Sequence, residues 1–278
     1  MNIHVINTGN FKLDGGAMFG VVPKSIWSQT NPADENNMCS WSMRCLLIEQ
    51  GERKILIDTG IGNKQSAKFF KYFYLHGNDN LIKSLNKIGL SPNQITDVFF
   101  THLHFDHCGG AIIKNDNEYR LLFPNAQHLT NKIHWDLANN PNSREKASFL
   151  KENFNLIAEK KKLKFINEGE LYPNIMVKFF SGHTEAQMIP IIKFKNKTIV
   201  FMADLLPSIG HIPLPYVMGY DTRPLLTLKE KKIFLEEAVN ENYILFLEHD
   251  YKYECCTVKY TSKGIRVNKY GKLIDFLS

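Results

Sequence analysis

Thr101–Gly110 reads THLHFDHCGG and places three histidines and an aspartate within six residues. A surface loop rarely needs three imidazoles, and in a core every buried ring nitrogen needs a hydrogen-bond partner. His102 and His104 alternate on an extended segment and therefore project the same way, whereas Asp106 and His107 follow as the chain turns into a helix. Such a turn lets one short segment serve two adjacent metal ions, so the stretch predicts a metal centre.

Two metal ions need more than four ligands, and other parts of the chain offer candidates. His183 follows the apolar run VKFFSG, Asp204 ends TIVFMAD, and His249 lies near the end of ILFLEHD. Each of the three taken alone fits an ordinary hydrogen-bonded loop residue. Because each stands at the carboxyl end of a predicted strand, the three together with the histidine cluster favour ligands at one edge of a sheet.

The composition is that of a globular protein with a substantial core. The chain has 278 residues, of which 44% are hydrophobic and 22% charged, and its net charge is +6. The lysines are spread in short runs that fit solvated helix faces, so no nucleic-acid surface is predicted. Five cysteines without a C-x-x-C pair indicate reduced thiols. With no signal-peptide pattern and no long apolar run, we expect a cytoplasmic protein without membrane contact.

Apolar runs typical of strands alternate with helical patterns along the chain. Residues 44–60 predict a β-hairpin. The next segment predicts a helix that is capped by Asn78 or Asp79 and ends at Gly89, and residues 143–162 predict another helix. This interleaving is typical of an α/β protein with helices on its sheet faces. Without a linker or repeat, residues 1–278 are predicted to form a single domain.

The ligand pattern H-x-H-x-D-H, then H, D and H, resembles that of the metallo-β-lactamase superfamily over most of the chain. The resemblance implies an αβ/βα sandwich of two mixed sheets with helices on the outer faces. It also implies two metal ions, one held by His102, His104 and His183, the other by Asp106, His107 and His249, with Asp204 bridging them. Asp58 in LIDTG matches a position whose carboxylate orients a liganding histidine. The alternative for Asp58 is a turn cap before Gly60.

This site predicts hydrolysis. Two cations about 3.5–4 Å apart lower the pKa of a shared water to near neutrality, which makes a bridging hydroxide available as nucleophile. The second cation polarises the carbonyl oxygen and stabilises the oxyanion. Asp106 can accept the proton of the nucleophile and pass it to the leaving alkoxide. Imidazole and carboxylate ligands favour zinc, with iron, manganese or cobalt as alternatives.

Within the superfamily, THLHFDHCGG is most similar to N-acyl homoserine lactonases and to relatives that hydrolyse organophosphates and aryl esters. The resemblance implies a small-molecule ester or lactone with an apolar portion as substrate, and a homodimer is possible. Residues 13–27, LDGGAMFGVVPKSIW, are also similar and are expected to form an irregular apolar loop. Its Met18, Phe19 and Trp27, together with Phe105, are candidate substrate contacts. The alternative for the loop is core packing or an oligomer contact.

One position departs from the lactonase pattern. Many lactonases carry a tyrosine three residues after the bridging aspartate, where this chain has Pro207. His211, Tyr216 and Tyr220 are candidates for the missing hydrogen-bond donor, and the alternative for them is loop packing. This departure keeps phosphotriester or arylester hydrolysis open as an alternative function.

Other classes fit less well. The diiron oxidoreductases of the superfamily carry a glutamate where this chain has His104. Thioester hydrolases of the glyoxalase II kind add a C-terminal helical domain, whereas this chain ends in predicted strands. A nuclease would need a basic cleft. Outside the motif, His128 and His134 are interpreted as ordinary surface or helix residues, and Cys108 as a small apolar packing residue.

Overall fold

The structure is a computed structural model that describes residues 1–116 and 118–277. The chain divides into two compact units, each made of two chain segments. The first unit comprises Met1–Asn10 and Met43–Asn167, and the second comprises Phe11–Ser42 and Glu168–Ser278. The single domain expected from the sequence stays a prediction. In the described part of the chain, every helix is too short or too polar to cross a membrane.

The strands of the described residues follow in chain order. They are β1 (Asn2–Asp14), β2 (Met38–Gln50), β3 (Arg53–Ile57), β4 (Asp97–Phe99), β5 (Ile112–Asn115), β6 (Glu118–Leu121), β7 (Gln127–Thr130), β8 (Leu163–Phe165), β9 (Gly169–Tyr172), β10 (Ile175–Phe180), β11 (Gln187–Phe194), β12 (Lys197–Phe201), β13 (Ile244–Phe246), β14 (Cys255–Thr261) and β15 (Gly264–Gly271).

The α-helices are mostly short. They are α1 (Gly15–Phe19), α2 (Lys24–Trp27), α3 (Ala67–Phe70), α4 (Leu81–Lys87), α5 (Phe105–Cys108), α6 (Lys132–Asn139), α7 (Asn155–Glu159), α8 (Pro224–Asn240) and α9 (Ile274–Leu277).

The strands form two larger sheets and one ribbon. One sheet has the order β1-β2-β3-β4-β7-β8, the other has the order β15-β14-β13-β12-β11-β10-β9, and β5 pairs with β6. Both larger sheets are mixed, because β3, β4, β7 and β8 run parallel in the first and β12 and β13 run parallel in the second. The mixed α/β fold with two sheets that the sequence predicts is therefore confirmed.

The predicted hairpin is confirmed, and it leads to the strand that carries the histidine motif. Gln50 lies opposite Arg53, and Gly51 takes a φ of +57° in the turn. β4 follows as a fully buried strand between β3 and β7, which is typical of a parallel strand covered on both faces. Its end delivers the chain to Thr101.

Two helix predictions need correction. The cap of α4 is Asn80, whose side chain accepts a hydrogen bond from the Lys83 amide at 2.9 Å, and not Asn78 or Asp79. The long helix predicted over residues 143–162 is reduced to α7 and a preceding turn of 3₁₀ helix. The helix is interrupted at Leu150, whose backbone is extended with φ of −96° and ψ of +107° just before the 3₁₀ turn.

The segment expected to form an irregular loop instead forms α1 and α2. The Asp14 side chain accepts a hydrogen bond from the Ala17 amide at 2.7 Å and thereby caps α1. Gly15 packs so closely on the Trp27 ring that any Cβ at this position would collide with it. Capping and this close approach hold the two short helices in place, so the expectation of an irregular loop is wrong.

Candidate metal centre

The histidine motif is an extended segment, and its alternate backbone amides donate hydrogen bonds to groups in other segments of the chain. The chain leaves β4 at Phe99 and does not continue as a strand. The amides of residues 101, 103 and 105 donate hydrogen bonds to Asp58 Oδ1 at 2.8 Å, His134 Nε2 at 2.8 Å and the Ser148 carbonyl at 3.0 Å. Because successive residues of an extended chain project to opposite sides, this anchoring fixes the direction of the histidines between the anchored residues.

The first unit gathers four of the predicted ligands. The rings of His102 and His104 lie 4.5 Å apart at an interplanar angle of 80°, and the rings of His102 and His107 lie 3.9 Å apart. All three histidines and Asp106 are buried. α5 begins after His104 and brings Asp106 and His107 onto one turn. Crowded, buried imidazoles of this kind are typical of metal ligands rather than of packing residues.

Asp58 occupies the position expected of a carboxylate that orients a histidine. Its Oδ2 lies 3.1 Å from His107 Nδ1 and accepts a hydrogen bond from the Thr101 hydroxyl at 2.6 Å. Asp58 is fully buried and adopts a φ of +57°. Since the Nδ1 proton of His107 points at this carboxylate, the Nε2 atom of the ring is left for a metal ion.

The other two histidines of the motif also have polar neighbours. Thr101 Oγ1 lies 3.1 Å from His102 Nδ1. A Glu145 oxygen lies 3.8 Å from His104 Nε2, and Glu145 is itself held by a 2.6 Å hydrogen bond from the Asn142 side chain. The contact with Thr101 favours Nε2 of His102 as its ligand atom.

In the second unit, one carboxylate lies between the two remaining histidines. Asp204 Oδ2 is 3.1 Å from His183 Nε2, and Asp204 Oδ1 is 3.1 Å from His249 Nε2. All three side chains are buried. Each oxygen of Asp204 thus faces the Nε2 atom of a different imidazole, which is compatible with a carboxylate that bridges two metal ions.

The outer nitrogens of both histidines are hydrogen-bonded. His183 Nδ1 lies 2.9 Å from Asp221 Oδ1, and His249 Nδ1 lies 2.7 Å from the Ser42 carbonyl oxygen. Burial opposes the charged form of His183, but the Asp204 and Asp221 carboxylates outweigh it and raise the pKa of the ring to about 10. The metal-free site therefore holds a proton on His183 that a metal ion must displace.

Sequence reasoning missed Asp221, Glu145 and the role of His134. Asp221 follows His183 by 38 residues, and no spacing or motif relates the two. His134 lies on helix α6, which agrees with one of its two interpretations, and it is fully buried rather than at the surface. His128 is likewise buried, on β7. Only the folded chain shows which polar groups face these imidazoles.

The structure shows the His211 ring packed and hydrogen-bonded in the interior, and its role in substrate binding stays a prediction. Its Nε2 lies 2.8 Å from the Met18 carbonyl oxygen and its Nδ1 lies 2.8 Å from the Ser208 hydroxyl, so both ring nitrogens are engaged. The ring stacks on Phe19 at 4.4 Å, and Phe19 stacks in turn on Trp27 at 5.4 Å. Burial lowers the pKa of His211 to about 3, which keeps the ring neutral. Of the two readings of Met18, Phe19 and Trp27, core packing is the one that the structure supports.

The remaining donor candidates lie on a loop anchored by a buried lysine. Lys231 Nζ donates hydrogen bonds to three carbonyls of this loop, including that of Tyr216 at 2.8 Å. The Tyr216 side chain is half-buried and that of Tyr220 is exposed.

The carbonyl oxygen of Pro207 accepts a hydrogen bond from the His249 amide at 3.2 Å. Pro207 therefore supports a metal-ligand candidate through its backbone.

Phe105 belongs to an aromatic cluster that the sequence did not reveal. Its ring lies 4.8 Å from that of Phe73 and 5.4 Å from that of Phe69. All three rings are half-buried, and Phe105 directly precedes Asp106. The cluster thus places partly accessible apolar surface next to a candidate metal ligand.

The side chains present fit divalent metal ions. Five buried imidazoles and two buried carboxylates supply nitrogen and oxygen donors, and His102, His107, His183 and His249 each have a hydrogen-bonding neighbour that orients the ring. Such a donor set is typical of zinc and of first-row transition metals. Buried carboxylates beside a cation can also accept a proton from water and return it to a leaving group.

Comparisons with known proteins agree with this chemistry. The sequence profile described as "Metallo-beta-lactamase superfamily" matches residues 44–113. An N-acyl homoserine lactonase of Bacillus cereus is 23% identical over 244 residues, which cover 83% of this chain and 88% of the lactonase. The crystal structure of a probable metal-dependent hydrolase from Staphylococcus aureus is 32% identical, with a TM-score of 0.86, and the match covers 97% of this chain and 96% of that one. AidC, a dizinc quorum-quenching lactonase solved with a product, is 23% identical with a TM-score of 0.79 and coverages of 96% and 93%, and it shares the fold.

Proposed function

Because the chain belongs to the metallo-β-lactamase superfamily, we propose that it is a dinuclear metal-dependent hydrolase that opens a lactone or cleaves a carboxylic ester. The relative at 32% identity is named as a probable metal-dependent hydrolase, and its match extends over nearly the whole chain. The curated relative at 23% identity is named as a lactonase. We propose zinc as the metal, because imidazole and carboxylate ligands suit it. We propose the cytoplasm as the compartment, which the five buried cysteines, all outside disulfides, support.

The placement of Asp204 carries the proposal of two metal ions. Its oxygens lie at equal distances of 3.1 Å from His183 and His249. Each oxygen can therefore serve a separate metal ion together with the imidazole that it faces. With the superfamily's ligand pattern, one ion takes His183 with His102 and His104, and the other takes His249 with Asp106 and His107.

When bound, the metal ions lower the pKa of water toward neutrality and polarise the substrate carbonyl. The residues of the chain supply the proton transfers. Asp106 accepts the proton of the attacking water as its oxygen adds to the carbonyl carbon, and delivers it to the alkoxide as the C–O bond of the ester breaks. Asp58 and Asp221 keep the rings of His107 and His183 turned to the site.

The aromatic cluster of Phe69, Phe73 and Phe105 supports a substrate with an apolar portion. Its rings are half-buried, and Phe105 directly precedes Asp106, the proposed proton carrier. Burying an acyl or aryl group against them stabilises the complex by about 25 cal/mol per Å² of apolar surface removed from water. Pro207 offers no side-chain donor, so recognition of the substrate carbonyl has to come from elsewhere.

The test combines metal analysis with hydrolysis assays. The purified chain is expected to hold about two metal ions and to hydrolyse a homoserine-lactone series at rates that rise with acyl length. If the chain binds two metal ions but hydrolyses only an aryl ester or a phosphotriester, the proposed mechanism stands and the proposed lactone substrate is wrong. A chain that binds no divalent metal ion would contradict the whole proposal.

A further inference from the structure

The Leu103 amide lies between two candidate metal ligands, His102 and His104, and donates a hydrogen bond to His134 Nε2 at 2.8 Å. We infer that His134 is a positioning residue, which holds the backbone of these two ligands in the geometry that binds metal. The inference rests on the proposed function, because it concerns the same centre.

The Leu103 amide needs an acceptor that regular secondary structure does not supply. β4 ends at Phe99, and the chain beyond it is extended but outside the sheet. Leu103 is buried, so an amide hydrogen left without an acceptor there would be a free-energy penalty. The neighbouring amides of Thr101 and Phe105 donate to groups of their own. His134 therefore completes the anchoring of the segment at its centre.

The His134 ring is itself held firmly. Its backbone amide donates to the Asn131 side chain at 2.8 Å, in the cap that begins α6. The ring contacts Phe149 at a centroid distance of 5.7 Å, and Phe149 also contacts His104 at 4.8 Å. Because Nε2 accepts a hydrogen bond, the ring proton is on Nδ1. A fixed helix position, a packed ring and a defined tautomer make His134 a rigid acceptor.

Rotation of the Leu103 peptide would affect two ligands together. The Leu103 N–H belongs to the peptide that joins His102 to Leu103, and the next peptide joins Leu103 to His104, so a shift of the backbone at Leu103 redirects both histidine side chains. Metal affinity depends on ligands that are already in place, and loss of an outer hydrogen-bond partner typically weakens metal binding 10–100-fold. We therefore expect His134 to act on metal affinity rather than on substrate contacts.

The experiment compares His134→Phe, His134→Gln and His128→Phe. The first removes the acceptor and keeps a ring, the second keeps an acceptor in the side-chain carbonyl, and the third removes another buried imidazole of the same unit. Zinc affinity of the metal-free proteins is measured by competition with a chromogenic chelator, together with the absorption spectrum after cobalt substitution. We expect His134→Phe to bind zinc about 10–100-fold more weakly with an altered cobalt spectrum. His134→Gln should recover most of the affinity, and His128→Phe should bind as the wild type does.

Wild-type affinity in His134→Phe would overturn the inference, as would an equal loss in His128→Phe or a failure of His134→Gln to recover. If His134→Phe does not fold, His134→Met takes its place as the variant without an equivalent acceptor. Wild-type protein that binds zinc but hydrolyses none of the substrates would overturn the proposed function alone. Wild-type protein that binds no zinc would overturn both.

Discussion

At the scale of single residues, the candidate ligands depend on neighbours that turn their rings. Asp221 lies 2.9 Å from His183 Nδ1, Asp58 lies 3.1 Å from His107 Nδ1, and both carboxylates are buried. A buried carboxylate beside an imidazole fixes the tautomer and raises the basicity of the other nitrogen. The ligand residues therefore describe only part of the chemistry of the site.

Replacing Asp221 by Ala should weaken zinc binding about 10–100-fold, because the His183 ring loses the partner that orients it. The measurement is competition with a chromogenic chelator on the metal-stripped protein. Asp136→Asn is the control, since Asp136 lies in an exposed ion pair with Lys132 on α6. Equal affinity in Asp221→Ala and wild type would show that Asp221 does not orient His183.

Replacing Asp204 by Ala should remove bound metal and hydrolysis together. Its two oxygens face His183 and His249. A ligand that contacts only one metal ion could not replace both contacts. Elemental analysis of the purified variant measures the metal, and initial rates on the best wild-type substrate measure activity. Retention of two metal ions at the full rate would refute the bridging role.

His211 should make the metal-stripped protein sensitive to acid. Burial lowers its pKa from 6.5 to about 3, so between these values the unfolded chain binds a proton that the folded chain does not. The contribution of the neutral His211 ring to the free energy of unfolding is complete above pH 6.5. It is lost as the pH falls, and the loss is about 2 kcal/mol at pH 5. Urea unfolding at pH 7 and pH 5 should show a smaller loss in His211→Gln than in wild type. Parallel losses in the two proteins would assign the acid sensitivity to other groups.

At the scale of elements, α5 is fixed by a glycine-rich contact with the chain that follows β3. The Thr59 amide donates to the His107 carbonyl at 2.7 Å, and the Gly110 amide donates to the Gly60 carbonyl at 2.8 Å. The buried Lys64 ammonium also donates to the Gly109 carbonyl. The ligand turn is therefore held through its backbone, and the close approach requires glycine at position 109.

Replacing Gly109 by Ala should destabilise the protein by about 3 kcal/mol and weaken metal binding, because a Cβ would collide with the Ile61 carbonyl. Gly89→Ala is the matched control. Gly89 has a φ of +77° and open space around it, so only backbone strain of about 1 kcal/mol is expected. Urea unfolding measures both variants, and equal losses would contradict the steric explanation.

At the scale of the whole molecule, metal binding and folding should be linked. The candidate ligands come from segments as distant in sequence as His102 and His249, and the unfolded chain cannot gather them. A ligand that binds only the folded state adds its binding free energy to the stability. Metal should therefore stabilise the chain as a whole.

Removing metal with a chelator should lower the Tm of the wild-type protein by roughly 10 °C. This size of shift applies when the free metal concentration before chelation is about 1,000 times the Kd of the site. Differential scanning calorimetry before and after chelation measures the shift. Asp204→Ala should show little change on chelation, because it has no metal to lose. A similar shift in both proteins would mean that the chelated metal lies at another site.

The sequence alone determined the seven candidate ligands, the hairpin and β4, and the superfamily. These features depend on residue type and short spacing, which the linear order of the chain expresses directly. His102 to His107 form one motif, and His183, Asp204 and His249 each stand close behind an apolar strand run. Asp58 could be predicted as well, because it is part of a short family motif.

Only the tertiary structure decided which groups orient the ligands and which aromatic residues are packed. Asp221, Glu145 and His134 meet their histidine or amide partners through contacts that span 31 to 41 residues of sequence. Phe19 stacks on His211 across a still longer separation. A hydrogen bond or ring contact at such a distance leaves no periodicity in the chain. It exists only once backbone segments fixed by other interactions bring the two groups together, and for that reason the fold had to reveal it.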